Sequence, residues 1–212
     1  MLFRSDEGLR ERLGRAHNEL GWALALQKKG GPAEKAFRDA VAVLEPLVAK
    51  PPPSPQAGPP ASVWQALAES RANLASVVMA LDPEKAEVEA QASVTASERW
   101  VKAFPRLVLS HDSLAEAHLA LADYFIARRR KSAEGVASLE QAARSLARCL
   151  PLVEQAKDRE AYAARAMQAL ERATVNGYRD TKHLRTLPEF EPLRGRADFR
   201  KLLARLEKEG PR

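Results

Sequence analysis

The sequence predicts an all-α protein built from consecutive helices that pack as antiparallel pairs. Apolar residues recur every three or four positions along most of the 212-residue chain, which is the spacing of one helix face. Aromatic residues make up only 6% of the chain, whereas alanine and leucine, which favour helices, recur throughout. No stretch alternates apolar and polar residues over the length of a strand.

The composition narrows the class of protein. A hydrophobic content of 45% is enough to form a core. The 34 Lys and Arg residues are interspersed with 28 Asp and Glu residues, giving a net charge of +6, and this mixture is typical of solvated helix faces. Cys149 is the only cysteine, so the chain has no internal disulfide, and its apolar surroundings predict a small core residue. With neither a signal peptide nor an apolar run of 18 residues, we expect a cytoplasmic protein that does not enter a membrane.

The first helix pair is predicted within residues 1–50. Its first helix covers 7–29 and ends at Gly30-Gly31, because glycine commonly terminates helices. This helix has one apolar face, formed by Leu9, Leu13, Ala16, Leu20, Ala23 and Leu24.

Prolines delimit the second helix and the segment that follows it. Pro32 suits the first turn of a helix over 33–48, and Pro46 should kink that helix or end it early. Residues 51–61 contain six prolines and are predicted to be an extended insertion between helix pairs. A linker between two modules is the alternative, but one helix pair is too small to bury a core by itself.

Three further blocks of helix follow. The second pair is predicted at 62–105, the third at 110–155, and a terminal helix with a capping segment at 158–212. The individual helices are predicted at 62–81, 83–103, 114–130, 132–150, 158–174 and 197–208. Their predicted N-terminal signals include Ser62, Asp82-Pro83-Glu84 and Asp112-Ser113.

The first pair carries a repeat signature made of Leu20-Gly21, Ala33, Phe37 and Ala40. This spacing resembles the tetratricopeptide repeat (TPR), with His17 and Leu24 in place of its usual tryptophan and tyrosine. The second and third pairs match less well, since neither has the phenylalanine. The resemblance implies a TPR-like α-solenoid of three to four antiparallel helix pairs with a C-terminal capping helix, forming a single repeat domain over 1–212.

The chain also resembles the C-terminal TPR arrays of certain bacterial serine/threonine kinases. The matching stretches are residues 15–22 with 31–34, and a terminal run made of 177–180, 183–186 and 192–199 that is similar to the segment that closes such arrays. This resemblance implies an interaction module without a kinase domain.

No motif for catalysis or for nucleotide binding is present. The glycine-rich loop, H-R-D and D-F-G of kinases, the Walker loop and G-x-S-x-G are all missing. His111 and His118 could share a helix face, but Asp112-Ser113 predicts that the helix begins between them. We therefore predict a protein that is not an enzyme and has no catalytic, cofactor-binding or metal-binding residues.

The leading hypothesis is a scaffold that binds a protein, either as a peptide or as a partner helix, in a concave groove. The repeat register implied by the resemblance directs Arg15, Asn18 and Trp22 of the first pair towards this groove. Asn73 and Ser76 are the equivalents in the second pair.

Two alternatives remain open. One is a truncated remnant of a larger TPR-containing regulatory kinase, whose first helix would expose apolar surface and cause self-association. The other is a basic nucleic-acid-binding protein that uses the Arg-Arg-Arg-Lys run at 128–131 and the basic tail. A basic run at a helix end is also expected in a solvated turn, which argues against this second alternative.

Overall fold

The prediction of an all-α protein is confirmed by the computed structural model, which describes residues 3–49, 59–128 and 132–209. Every regular element in these ranges is helical. The α-helices are α1 Phe3–Leu26, α2 Gly30–Ala49, α3 Ala61–Leu81, α4 Ala86–Ala103, α5 Val108–Arg128, α6 Ala133–Cys149, α7 Ala156–Val175, α8 Thr181–Thr186 and α9 Ala197–Glu209. Two 3₁₀ segments lie at Leu150–Leu152 and Pro188–Leu193.

The helices fall into two compact units, Met1–Pro105 (unit 1) and Arg106–Arg212 (unit 2). In unit 1, α1 packs against α2, α2 against α3, and α3 against α4, while α1 also touches α3. In unit 2, α5 packs against α6 and α6 against α7. Neighbouring helices therefore pack pairwise, as predicted, and the single repeat domain over 1–212 stays a prediction.

Two glycines allow α1 to lie close to α2. A Cβ atom on Gly14 would fall 2.5 Å from Leu44 Cγ, and one on Gly21 would fall 2.6 Å from Phe37 Cε1. Real Cβ atoms essentially never approach other atoms so closely. Since Phe37 and Leu44 are themselves buried, any larger residue at either glycine would push α1 away from α2.

The apolar face of α1 is exposed. Leu9, Leu13 and Leu20 remain 55%, 49% and 51% accessible, and Ala16 and Ala23 on the same face are also exposed. The helix packs instead through the side that carries Gly14 and Gly21. The remnant hypothesis expects such a surface on the first helix, and that hypothesis stays a prediction.

Several predicted helix ends are wrong in position. The Gly30-Gly31 pair does not end α1; the helix stops at Leu26, Lys28 takes a positive φ of 59°, and the glycines open α2. Pro46 does not end α2, which continues to Ala49. This proline lies on the exposed side, where the carbonyl that loses its helical partner can tilt towards water.

Three predicted N-caps are also wrong. Ser62 lies inside the first turn of α3, and Pro60 precedes that helix without a side-chain cap. Asp82 closes the end of α3, and its carboxylate accepts a hydrogen bond from the Glu84 amide in the turn before α4. Asp112-Ser113 lies within α5, which begins at Val108.

The core of unit 2 is formed by α5, α6, α7 and the C-terminal segment. Aromatic and leucine side chains after α7 are completely buried against these helices, among them Leu184, Phe190, Leu193 and Phe199. The sequence predicted this segment as irregular up to the last helix, and it contains α8 and a 3₁₀ segment.

Cys149 is buried at the end of α6, as the sequence predicted. Its thiol donates to the carbonyl of Ser145 at 3.5 Å. Burial raises the pKa of this thiol to about 12, which keeps it protonated at neutral pH.

Candidate protein-binding groove

The five residues predicted for the groove all lie in unit 1, on two helices that touch each other. Arg15, Asn18 and Trp22 belong to α1, and Asn73 and Ser76 belong to α3. The prediction that they line a binding groove remains untested.

Two of these residues join the helices directly. Asn73 Nδ2 donates to Asn18 Oδ1 at 3.1 Å, and both residues are partly buried. A hydrogen bond between amide side chains at a helix contact fixes the lateral position of one helix on the other. Asn18 and Asn73 therefore serve the packing of α1 on α3.

Arg15 makes a second connection between the same helices. Its guanidinium donates to the backbone carbonyl of Ser62 at 3.1 Å, in the first turn of α3. It also lies 3.3 Å from the carboxylate of Glu11, one turn earlier on α1. Nearly half of the Arg15 side chain remains exposed, so it can still contact a bound partner.

Trp22 and Ser76 lie one turn beyond the two asparagines on their respective helices. The Trp22 side chain is 52% exposed, whereas Trp64 and Trp100 are buried. Ser76 Oγ donates to the carbonyl of Ala72 within its own helix, at 3.0 Å. Of the five predicted residues, Trp22 presents the largest apolar surface to a partner.

A cluster of alternating charges holds α2, α3 and α4 together. Glu45 of α2 accepts hydrogen bonds from Arg71 of α3 at 3.1 Å and from Arg99 of α4 at 2.5 Å. Burial alone would raise the pKa of Glu45, but the two guanidiniums outweigh it and the pKa is lowered. No local sequence pattern predicts this cluster, because Arg71 and Arg99 are 26 and 54 residues from Glu45.

His111 and His118 both lie on α5 and are both largely buried. The expectation that the helix begins between them is wrong. Burial lowers the pKa of His118 to about 4, so its imidazole is neutral at pH 7. Among the described residues, no group of three or more His, Cys, Asp or Glu side chains could hold a metal ion.

A shallow depression of about 510 Å³ lies in unit 2, lined by Ala133, Val136, Ala137, Glu140, Asn176, Gly177 and Tyr178. Glu140 Oε1 and the Tyr178 hydroxyl are buried there without a hydrogen-bond partner. Burial raises the pKa of both groups. Because these two atoms are inaccessible, the depression presents mainly apolar side chains.

The basic run at 128–131 is described only at Arg128, since residues 129–131 lie outside the described residues. The Arg128 guanidinium lies 5.6 Å from the centroid of the Tyr124 ring. Residues 50–58, which hold most of the predicted proline-rich insertion, also lie outside. No described helix combines the length and hydropathy that a membrane span requires.

No protein-family model matches this chain, and no curated protein matches it.

Proposed function

We propose that this chain is a non-catalytic, protein-binding module made of TPR-like helix pairs. The close contact of Gly21 with Phe37 supports this assignment, because these are the residues of the repeat signature at which two helices should cross closely. The groove proposed as the binding site lies along α1 and α3, where Arg15, Asn18 and Asn73 connect the two helices.

The exposed indole of Trp22 is the observation that carries the proposal. A tryptophan that is half exposed beside a rigid helix contact resembles the aromatic anchors that dominate protein interfaces. The nearby Arg15 guanidinium adds a donor for the backbone carbonyls or carboxylates of a peptide. An extended peptide or a short helix with an apolar anchor residue is the ligand that this surface suits best.

The test begins with a selection of displayed peptides on the immobilised wild-type protein. Selected peptides are then titrated against the protein while tryptophan emission is recorded. Because Trp64 and Trp100 are buried, a blue shift on binding reports removal of Trp22 from water. We expect Trp22→Ala to weaken binding by about tenfold or more; because this variant lacks the reporting indole, its affinity and that of wild type are compared by the anisotropy of a fluorescently labelled peptide.

Val88→Ala is the matched control, since Val88 is 71% exposed on α4 of the same unit. It should leave peptide affinity unchanged. Peptides that bind Trp22→Ala as tightly as wild type, or that leave the emission unshifted, would rule out this groove as the binding site.

A further inference from the structure

An apolar stripe runs along the exposed side of α1, formed by Leu9, Leu13, Ala16, Leu20 and Ala23 (the α1 seam). Its residues are spaced by four, three, four and three positions, which is the a and d pattern of a heptad repeat. About half of each leucine side chain remains accessible. Isolated exposed leucines are ordinary in proteins, whereas a heptad stripe is the surface that another helix covers.

The packing of unit 1 explains why α2 cannot cover this stripe. Leu13 and Leu20 each directly precede a glycine that contacts α2, namely Gly14 and Gly21. One residue corresponds to a rotation of about 100° around a helix. The contact that brings α1 onto α2 therefore turns the leucines away from it.

We propose that the α1 seam pairs with the α1 seam of a second copy of the chain, in an antiparallel arrangement about a two-fold axis near residues 14 and 15. Antiparallel helices pack a positions against d positions, so Leu13 of one copy lies beside Ala16 of the other, and Leu20 lies beside Leu9. The midpoint of each pair falls between residues 14 and 15. The small side chain of Ala16, which packs against Leu13 of the other copy close to the axis, lets the two helices approach closely.

The charges beside the seam favour a second copy as the occupant. Arg12 and Glu19 flank the seam along one edge, seven residues apart, and both are exposed. Neither forms a salt bridge with another described residue. In the antiparallel dimer Arg12 of each copy faces Glu19 of the other, so one pair of residues produces two complementary contacts.

A parallel dimer lacks this match. The heptad register would then bring Arg12 against His17 of the other copy and Glu19 against Leu24, with no pair of opposite charges. Trp22 follows Leu20 by two residues and therefore points about 160° away from it. The seam and the proposed groove are thus separate surfaces of α1, and the dimer does not depend on the groove.

The first experiment measures mass by sedimentation as the concentration of the full chain rises from about 1 to about 200 μM. The mass should increase from 23.3 kDa towards twice that value for wild type. Leu13→Glu/Leu20→Glu should remain monomeric over the whole range, with circular dichroism to verify its fold. The control variant Val88→Glu/Val175→Glu adds the same charge at two exposed valines outside α1 and should dimerise like wild type.

The second experiment tests the orientation by charge reversal. Arg12→Glu and Glu19→Arg should each weaken the dimer about tenfold, because each creates two like-charge contacts, and the double variant should restore it. Trp22→Ala should dimerise normally. A wild-type chain that stays monomeric at about 200 μM overturns the proposal and leaves the seam to a helix of another protein. A dimer that the glutamate variants do not disrupt, or that the double reversal does not restore, also overturns it.

Discussion

The contact between α1 and α2 leads to a sharp prediction for Gly21→Ala. The added Cβ would meet three carbons of the Phe37 ring at 2.6, 2.7 and 2.9 Å. Phe37 is 1% exposed, so its ring has no space into which it can move. Overpacking of this kind typically costs about 1–3 kcal/mol. Replacing a glycine inside a helix by alanine returns about 1 kcal/mol, so the net effect is a loss of up to about 2 kcal/mol.

Gly8→Ala is the matched control. Gly8 lies on the same helix, and a Cβ there would meet nothing within 4 Å. This variant gains the helix propensity without the clash and should be more stable by about 0.5–1 kcal/mol. The difference in unfolding free energy between the two variants removes most of the propensity contribution, and it measures the clash with Phe37 directly.

The assay is urea unfolding followed by tryptophan emission. Trp22, Trp64 and Trp100 all lie in unit 1, and the chain has three tryptophans, so the signal reports unit 1 alone. A second test combines Gly21→Ala with Phe37→Leu, where the smaller side chain should recover part of the loss, a non-additive result. If Gly21→Ala were as stabilising as Gly8→Ala, the close packing of α1 on α2 would be refuted.

Three other outcomes are expected. Pro46→Ala should stabilise unit 1 by roughly 1–3 kcal/mol in the same tryptophan assay, because it restores a backbone hydrogen bond inside α2. An unchanged unfolding free energy would mean that the helix is broken at this position. The pKa of the His118 imidazole is about 4 in the folded protein and 6.5 when unperturbed, so the unfolded chain binds more protons at acidic pH. As pH falls from 6.5 to 4, the unfolding free energy of unit 2 should therefore decrease by up to about 3 kcal/mol. Thermal melts at several pH values measure this loss, and His118→Leu should abolish it. Burial alone would raise the pKa of Glu189, but the guanidiniums of Arg144 and Arg148 at 2.6 and 2.7 Å lower it to about 2. The ionised carboxylate therefore stabilises the fold above pH 4.5, and this contribution disappears towards pH 2. Glu189→Gln should lower the unfolding free energy by about 2 kcal/mol at pH 7 and by little at pH 2.

The helical class and the approximate extent of most helices could be predicted because they depend on local periodicity and on residues that break helices. The predicted helix caps and terminators were wrong where the residue has a different position in the folded protein. Asp112-Ser113 resembled an N-cap, yet α5 begins four residues earlier, at Val108. Gly30-Gly31 resembled a terminator, yet Lys28 takes the left-handed conformation instead.

The candidate groove was only partly predictable. The repeat resemblance placed Asn18 and Asn73 on the same surface, and they do touch, but the resemblance could not tell that they bond to each other. The periodicity of α1 identified its apolar face, but not the fact that this face is exposed. That depends on Gly21, which directs a different side of the helix towards α2.

The buried thiol of Cys149 can report how often unit 2 opens locally. Because the thiol is buried and its pKa is raised to about 12, a thiol-specific reagent can modify it only when the end of α6 opens. Because the chain has no other cysteine, the rate at which the native protein is labelled measures the frequency of this opening, and no mutation is needed. Surface cysteines introduced elsewhere would react far faster, so spectroscopic probes could be attached to them while the native thiol stays in place.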